Sequence, residues 1–219
     1  MSYYYLVPPS FFAISIVIEV FFALIALSVA FVSLKIYKLS KQRETRLFGI
    51  SFLLISVSYI VWAIMHFFVL FRAEEIFARL SIENISLLGK IAITIHALIF
   101  VSGLITLAYT TLKIKNSKVY YMMLGLSLIV IAASLNKLIT FRILSVFILS
   151  FITYNYFGEY LRNKNKKTLI IFISFFLLLI SNTDFIFSLK YYQAYIVGHI
   201  IEFIAYLFIL ASLIHTIRR

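Results

Sequence analysis

The chain has 219 residues, of which 63% are hydrophobic, and its mean hydropathy is +1.06. Soluble helices are not so uniformly apolar, so this composition excludes a separate soluble domain. The absence of cysteine excludes disulfides, thiolate catalysis and cysteine-ligated metal centres. A formal net charge of +12 would suggest nucleic acid as the partner of a soluble protein, but the basic residues here flank apolar segments, and we expect no nucleic-acid partner.

Seven apolar segments, each long enough to cross a bilayer, occupy almost the whole chain. A transmembrane helix needs about 20 such residues to cross about 30 Å of hydrocarbon. The predicted spans are approximately residues 10–34, 47–71, 87–112, 119–135, 139–160, 168–188 and 194–217. The sequence therefore predicts an all-α integral membrane protein, a bundle of seven transmembrane helices forming a single domain over residues 1–219. We expect it to lie in the cell membrane as a multi-pass protein, with the lipid bilayer as its first partner.

The predicted helices are straight and are joined by short connections. The chain's only prolines, Pro8 and Pro9, precede the first span, and its six glycines are scattered. This pattern counts against carriers that bind their substrate at broken helices. The longest predicted connection runs from about residue 72 to residue 86 and joins spans two and three. The fourth span, of about 17 residues, is at the lower limit for crossing a bilayer.

The basic residues lie mainly on one side of these spans. Fourteen of the twenty lie at the cytoplasmic ends in the predicted orientation: Lys35, Lys38, Lys41, Arg43, Arg46, Lys113, Lys115, Lys118, Arg162, Lys164, Lys166, Lys167, Arg218 and Arg219. The other six are assigned to the opposite face: Arg72, Arg79, Lys90, Lys137, Arg142 and Lys190. Because basic residues are retained in the cytoplasm during insertion, the sequence predicts an outside N-terminus and a cytoplasmic C-terminus.

Ionisable residues within the spans are concentrated in their outer halves. Such residues are costly in lipid and usually face a bundle interior or a water-filled cavity. Counted along the spans at 1.5 Å per residue, they form a layer near the surface and a deeper layer. The upper layer contains His66, Asp184 and His199, and the lower one Glu19, His96 and Glu202. The sequence thus predicts an outward-facing pocket in which these six residues bind a ligand.

Helical spacing places polar side chains on common faces of the spans. Tyr195, His199, Glu202 and Tyr206 recur at the spacing of one helix face. Spans one, two and six have similar stripes of small and hydroxyl residues. Residues of this kind allow membrane helices to pack closely. We therefore expect these faces to point into the bundle.

The leading hypothesis is that this pocket binds a small ligand or ion, in a sensor-like module or a subunit of a membrane complex. Any signal would then pass to a partner membrane or cytoplasmic protein. Two further alternatives from other classes are a proton-coupled transporter that uses Glu19, His96 and Glu202, and an accessory subunit whose polar residues only pack helices. The sequence leaves open whether the chain is an enzyme.

The enzymatic alternative is a metal-dependent intramembrane hydrolase that acts on a lipid. His66, Asp184 and His199 would hold a divalent metal such as zinc or copper, because imidazole and carboxylate suit these ions. Glu202 or Glu19 would be the general base for the bound water. Haem, held between two histidines, is a less favoured cofactor because few glycines are present to admit the macrocycle.

Overall fold

Seven α-helices and no strand make up the part of the chain that the computed structural model describes, residues 9–79, 82–114, 116–188 and 192–217. The helices are α1 (Pro9–Ser40), α2 (Arg43–Arg79), α3 (Ile82–Thr111), α4 (Ser117–Ala133), α5 (Lys137–Asn163), α6 (Lys166–Phe187) and α7 (Tyr192–Ile217). The prediction of seven helices in an all-helical chain is confirmed.

Six of these helices are long and apolar enough to cross a membrane. Within the described residues, the crossing segments are Ile14–Ser40, Arg43–Phe68, Gly89–Thr111, Lys137–Asn163, Lys166–Phe187 and Gln193–His215. The chain is therefore a helical protein of the membrane-embedded class. Helix α4 is apolar but has only 17 residues, so a seventh crossing stays a prediction.

The helices extend beyond the apolar segments that predicted them. Helix α1 continues to Ser40, and α2 runs from Arg43 to Arg79. The predicted connection over residues 72–86 is wrong, because α2 is helical through Arg79 and α3 begins at Ile82. Hydropathy marks only the part of a helix that lies in lipid, whereas glutamate, arginine and alanine continue the helical backbone outside it.

Asparagine begins each of the three helices α4, α5 and α6. The side chains of Asn116, Asn136 and Asn165 accept hydrogen bonds from backbone N–H groups two or three residues further on, at 2.9, 3.3 and 3.0 Å. Such caps satisfy one of the four N–H groups that a helix start leaves without a partner. They allow short connections, so that consecutive helices run in opposite directions.

The six long helices form a closed ring, and α4 lies outside it. Helices α1, α2, α3, α5, α6 and α7 each pack against the next, and α7 packs against α1. Helix α4 contacts α3 and α5, which also contact each other directly. The ring interior is therefore filled by side chains of the six long helices.

Most of the ring interior is apolar. Fully buried large side chains from all six ring helices include Phe22, Phe52, Leu104, Ile152, Phe175 and Ile209. Helices α1 and α2 approach closely enough for Ser56 Oγ to donate a hydrogen bond of 2.8 Å to the carbonyl oxygen of Ala23. Small residues at such contacts let membrane helices pack through van der Waals contact.

Gly103 tests the close approach of α2 and α3. A Cβ at this position would lie 2.9 Å from the carbonyl oxygen of Ser51 and 2.9 Å from Ile55 Cγ1. We expect Gly103→Ala to lower the free energy of unfolding by about 1–3 kcal/mol, because backbone must move to admit the methyl group. Gly125→Ala on α4 is the matched control, since its Cβ would meet nothing within 4 Å. Unfolding in detergent checks both, and equal stability of the two variants would contradict the packing described.

Candidate ligand-binding site

Polar side chains from all six ring helices meet inside the ring. The cluster extends from the N-terminal halves of α1, α3, α5 and α7 to about their middle, and from the middle to the C-terminal halves of the oppositely directed α2 and α6. This polar cluster consists of Ser15, Glu19, Tyr59, Trp62, His66, His96, Arg142, Asn182, Tyr195, His199, Glu202 and Tyr206. The predicted stripe on α7 faces the interior, where His199, Glu202 and Tyr206 are buried.

Glu19 is the centre of a first set of hydrogen bonds. Its carboxylate is 1% exposed and accepts a hydrogen bond of 3.1 Å from Ser15 Oγ. His66 Nδ1 lies 2.8 Å from Glu19 Oε1 and 3.0 Å from Oε2. Ser15 Oγ also lies 2.9 Å from the Tyr195 hydroxyl. A buried carboxylate is costly unless it is paired, and Glu19 is paired through both oxygens.

The contact between Glu19 and His66 differs from the predicted two layers. The sequence placed His66 near the surface and Glu19 below it, but the two side chains are in direct contact. Depth was counted from the ends of the apolar segments, and α2 continues to Arg79, well past the end of its segment. The end of an apolar segment is therefore a poor reference for depth in this helix.

Glu202 is the centre of a second set. Its carboxylate is 1% exposed and accepts a hydrogen bond from the Tyr59 hydroxyl. The Tyr59 hydroxyl lies 3.3 Å from that of Tyr206. Helices α2 and α7 are not neighbours in the ring, so this bond, like the contacts of the Tyr206 ring with Phe52 and Tyr59, crosses the ring interior. The bond therefore joins two helices that are not adjacent in the ring.

His199 is buried but its imidazole is not hydrogen-bonded. The residue is 7% exposed, and neither ring nitrogen has a hydrogen-bond partner among the described residues. Glu202 Oε2 lies 3.7 Å from Nδ1, which is too far for a hydrogen bond. The ring packs against Tyr195, Phe185 and Phe22 at centroid distances of 4.3, 4.8 and 5.6 Å. An unpaired buried polar group of this kind costs about 1–3 kcal/mol.

His96 has a different environment. It is 6% exposed, and its Nδ1 donates a hydrogen bond of 2.9 Å to the carbonyl oxygen of Ser58. The Trp62 ring lies between His96 and His66, at centroid distances of 5.1 and 4.7 Å. Trp62 and His66 are four residues apart on α2, a spacing that puts both side chains on one face of the helix.

Arg142 belongs to the cluster, which corrects its assignment to the outer face. It lies on α5 near the start of the helix, with its guanidinium 4.2 Å from the ring centre of Phe185 and 4.9 Å from that of Phe141. Its Nη1 donates a hydrogen bond of 3.4 Å to Asn182 Oδ1. The predicted fifth span, 139–160, already contained Arg142, so an arginine inside an apolar segment was the signal that sequence reasoning missed.

The predicted metal ligands His66, Asp184 and His199 are not brought together. His66 contacts Glu19 and His199 lies beside Glu202, whereas Asp184 belongs to neither pair. No three histidine, cysteine, aspartate or glutamate residues in the described ranges are arranged to hold a metal ion. The carboxylates and imidazoles instead form two separate pairs, Glu19 with His66 and Glu202 with His199.

A groove between α1 and α7 leads from the outer surface of the ring to His199. Its volume is about 400 Å³, and it is lined by Ile14, Ile18, Phe21, Tyr195, Ile196, His199, Ile200 and Phe203. Ile14, Phe21 and Ile200 are 54%, 53% and 56% exposed on the lipid-facing side of these helices. The groove is therefore open at the outer surface of the helix ring, and the His199 side chain forms part of its wall while both ring nitrogens stay enclosed by protein.

These features define a polytopic helical membrane protein that encloses a buried polar cluster. No protein-family model, no curated protein and no solved structure matches the chain. A function for this protein must therefore be inferred from the side chains of the polar cluster.

Proposed function

We propose that this protein binds a small ligand inside the membrane, at His199 in the polar cluster, as a sensor-like module or a subunit of a membrane complex. One observation carries the proposal: both ring nitrogens of the buried His199 lack a hydrogen-bond partner among the described residues. A bound ligand would satisfy this imidazole and remove the cost of burying it.

Among the glutamates and histidines of the polar cluster, all except His199 have the partners that a structural role requires. Glu19 is paired with His66 and Ser15, Glu202 with Tyr59, and His96 with a backbone carbonyl. If the cluster served only to join helices, His199 would be expected to be paired in the same way. Its difference from His96, a histidine buried to a similar extent, favours a binding site over a purely structural subunit.

The proposed binding role also fits the distribution of polar groups better than proton-coupled transport does. A transport path needs polar groups through the full thickness of the membrane. Toward the other end of the ring, the described interior has buried hydroxyl groups, such as those of Ser51, Thr106 and Ser174, but no buried carboxylate, imidazole or basic group to relay a proton. Lipid hydrolysis by a bound metal has no supporting arrangement of three ligands in the described ranges. Because the chain is almost entirely membrane helix, we further propose that a partner protein transmits any signal.

A pair of matched variants tests the binding site. We expect the wild-type protein, released from native-lipid nanodiscs in native mass spectrometry, to carry a bound small molecule. His199→Leu is expected to reduce its occupancy about tenfold or more, because one hydrogen bond in a site of low dielectric constant is lost. The control is His215→Leu, the same substitution at an exposed position near the other end of α7.

The stability of these variants separates binding from folding. His199→Leu removes an unpaired buried polar group, so the ligand-free variant is expected to unfold no more readily than the ligand-free wild type. Equal occupancy in wild type, His199→Leu and His215→Leu, or no adduct in any of them, would contradict the proposed function.

We also propose that the cluster faces the outside of the cell, with the N-terminus outside and the C-terminus in the cytoplasm. The chain has no cysteine, so a single introduced cysteine is its only thiol. In intact cells, a membrane-impermeant maleimide is expected to label Leu135→Cys, between α4 and α5. Gln42→Cys and Lys118→Cys are expected to react only after permeabilisation. The reverse pattern would contradict this orientation.

A further inference from the structure

We propose that the ligand is a neutral, single-chain amphiphile taken from the bilayer, with its hydrocarbon tail in the α1–α7 groove and its polar head at His199. This inference rests on the proposed function of the polar cluster as a binding site and adds the chemical class of the ligand and its route of access.

The groove has the properties of a site for a hydrocarbon tail. Six of its eight lining residues are isoleucine or phenylalanine, and the two polar ones are Tyr195 and His199. Its volume of about 400 Å³ lies within the range of about 300–1,000 Å³ that is usual for small-molecule pockets. Because Ile14, Phe21 and Ile200 are more than half exposed to the bilayer, a tail passes from lipid to groove without crossing water.

The charges around the groove favour a neutral head group. None of its lining residues is lysine or arginine, so a phosphate would find no cation there. The carboxylates beyond Tyr195 and His199 are those of Glu19 and Glu202, which would repel an anion. Arg142 is in contact with Phe185, whose ring also packs against His199, so the guanidinium lies behind an aromatic side chain. A phospholipid with two chains and a phosphate is therefore a poor match.

The imidazole determines which neutral head is suitable. Nδ1 of His199 lies 3.7 Å from Glu202 Oε2, so Nε2 is the nitrogen that we assign to the ligand. Both nitrogens are fully enclosed by protein, so the head group reaches Nε2 only when neighbouring side chains move aside. A hydroxyl group both donates and accepts a hydrogen bond, so it pairs with Nε2 in either protonation state of the ring. The Tyr195 hydroxyl already has Ser15 as a hydrogen-bond partner, and the Tyr195 ring packs against the imidazole. The structure thus favours a long-chain alcohol or a similar hydroxyl amphiphile.

Photolabelling of the full chain in phosphatidylcholine nanodiscs tests this inference. The probes are a long-chain primary alcohol with a diazirine in its chain, the matching diazirine hydrocarbon without a head group, and a diazirine phosphatidylcholine. We expect saturable labelling of groove residues on α1 and α7 by the alcohol, with competition by the unlabelled alcohol. The hydrocarbon and the phosphatidylcholine are expected to label lipid-facing surfaces without saturation.

Two tryptophan substitutions provide the matched comparison. Ile200→Trp fills the groove and is expected to reduce saturable labelling about tenfold or more, since the tail loses its apolar contacts. Ile129→Trp, at an exposed apolar position on the peripheral helix α4, is expected to leave it unchanged. His199→Leu is expected to abolish the preference for the alcohol over the hydrocarbon.

The outcomes distinguish this inference from the proposed function. If Ile200→Trp keeps the native adduct and His199→Leu loses it, the ligand reaches His199 by another route and the groove inference is overturned while the binding site stands. Equal, non-saturable labelling by all three probes also overturns the inference, because the groove is then ordinary lipid-facing surface. If neither substitution changes the native adduct, the proposed function fails as well.

Discussion

Glu19→Leu is expected to lower the free energy of unfolding by about 3–5 kcal/mol, the usual cost of removing one partner of a buried ionic pair. The carboxylate accepts hydrogen bonds from Ser15 and His66, and both side chains would lose this acceptor. Equilibrium unfolding in mixed detergent, at a pH where the wild type unfolds reversibly, measures the loss.

The double variant Glu19→Leu/His66→Leu is the control for this prediction. It removes the imidazole together with the carboxylate, and replacement of a buried pair by apolar residues is often close to neutral. We therefore expect the double variant to be more stable than Glu19→Leu alone, with a coupling energy of about 1–3 kcal/mol. Additive losses, or a Glu19→Leu variant as stable as the wild type, would show that the pair does not hold α1 and α2 together.

Glu202→Leu is expected to have the second-largest effect, a loss of about 3 kcal/mol, together with loss of the bound ligand. The carboxylate accepts the hydrogen bond from Tyr59 that crosses the ring interior, and hydrogen bonds to charged groups contribute about 1.5–3 kcal/mol. Glu202 also lies 3.7 Å from His199 Nδ1, so its substitution changes the polar surroundings of the imidazole.

Two phenylalanine substitutions calibrate this effect. Tyr59→Phe removes the donor to Glu202 and is expected to cost about 1–3 kcal/mol. Tyr206→Phe removes only a hydroxyl 3.3 Å from that of Tyr59, so its cost is expected to be below about 1 kcal/mol. The same unfolding measurement ranks the two variants by their free energy of unfolding. A Tyr206→Phe variant less stable than Tyr59→Phe would contradict the hydrogen bonding described.

Hydropathy was sufficient to predict the number of helices and the membrane class. A segment that crosses lipid must be apolar over most of its length, and this requirement is local in sequence. It does not determine where a helix ends in water, so the helical ends Lys35–Ser40 of α1 and Glu74–Arg79 of α2 were outside the predicted spans. The position of α4 outside the ring was also not predictable, because it depends on direct packing between α3 and α5.

The candidate site was predicted in part, because helix spacing gives faces but not partners. Glu19, His66, His96, His199 and Glu202 all lie in the cluster, while Asp184 belongs to neither of its two pairs. The pairing of Glu19 with His66 depends on how two helices are placed along their axes, and one sequence does not specify this. Tyr59, Arg142 and Asn182 were missed because tyrosine is common at membrane surfaces and Arg142 was counted with the outer charges.

A density map of the protein in native-lipid nanodiscs tests the binding site most directly. The expected result is continuous density that fills the α1–α7 groove and ends within hydrogen-bond distance of His199 Nε2. The contradictory result is an imidazole bonded only to protein groups or water, with density in the groove no stronger than that of the lipid around α4.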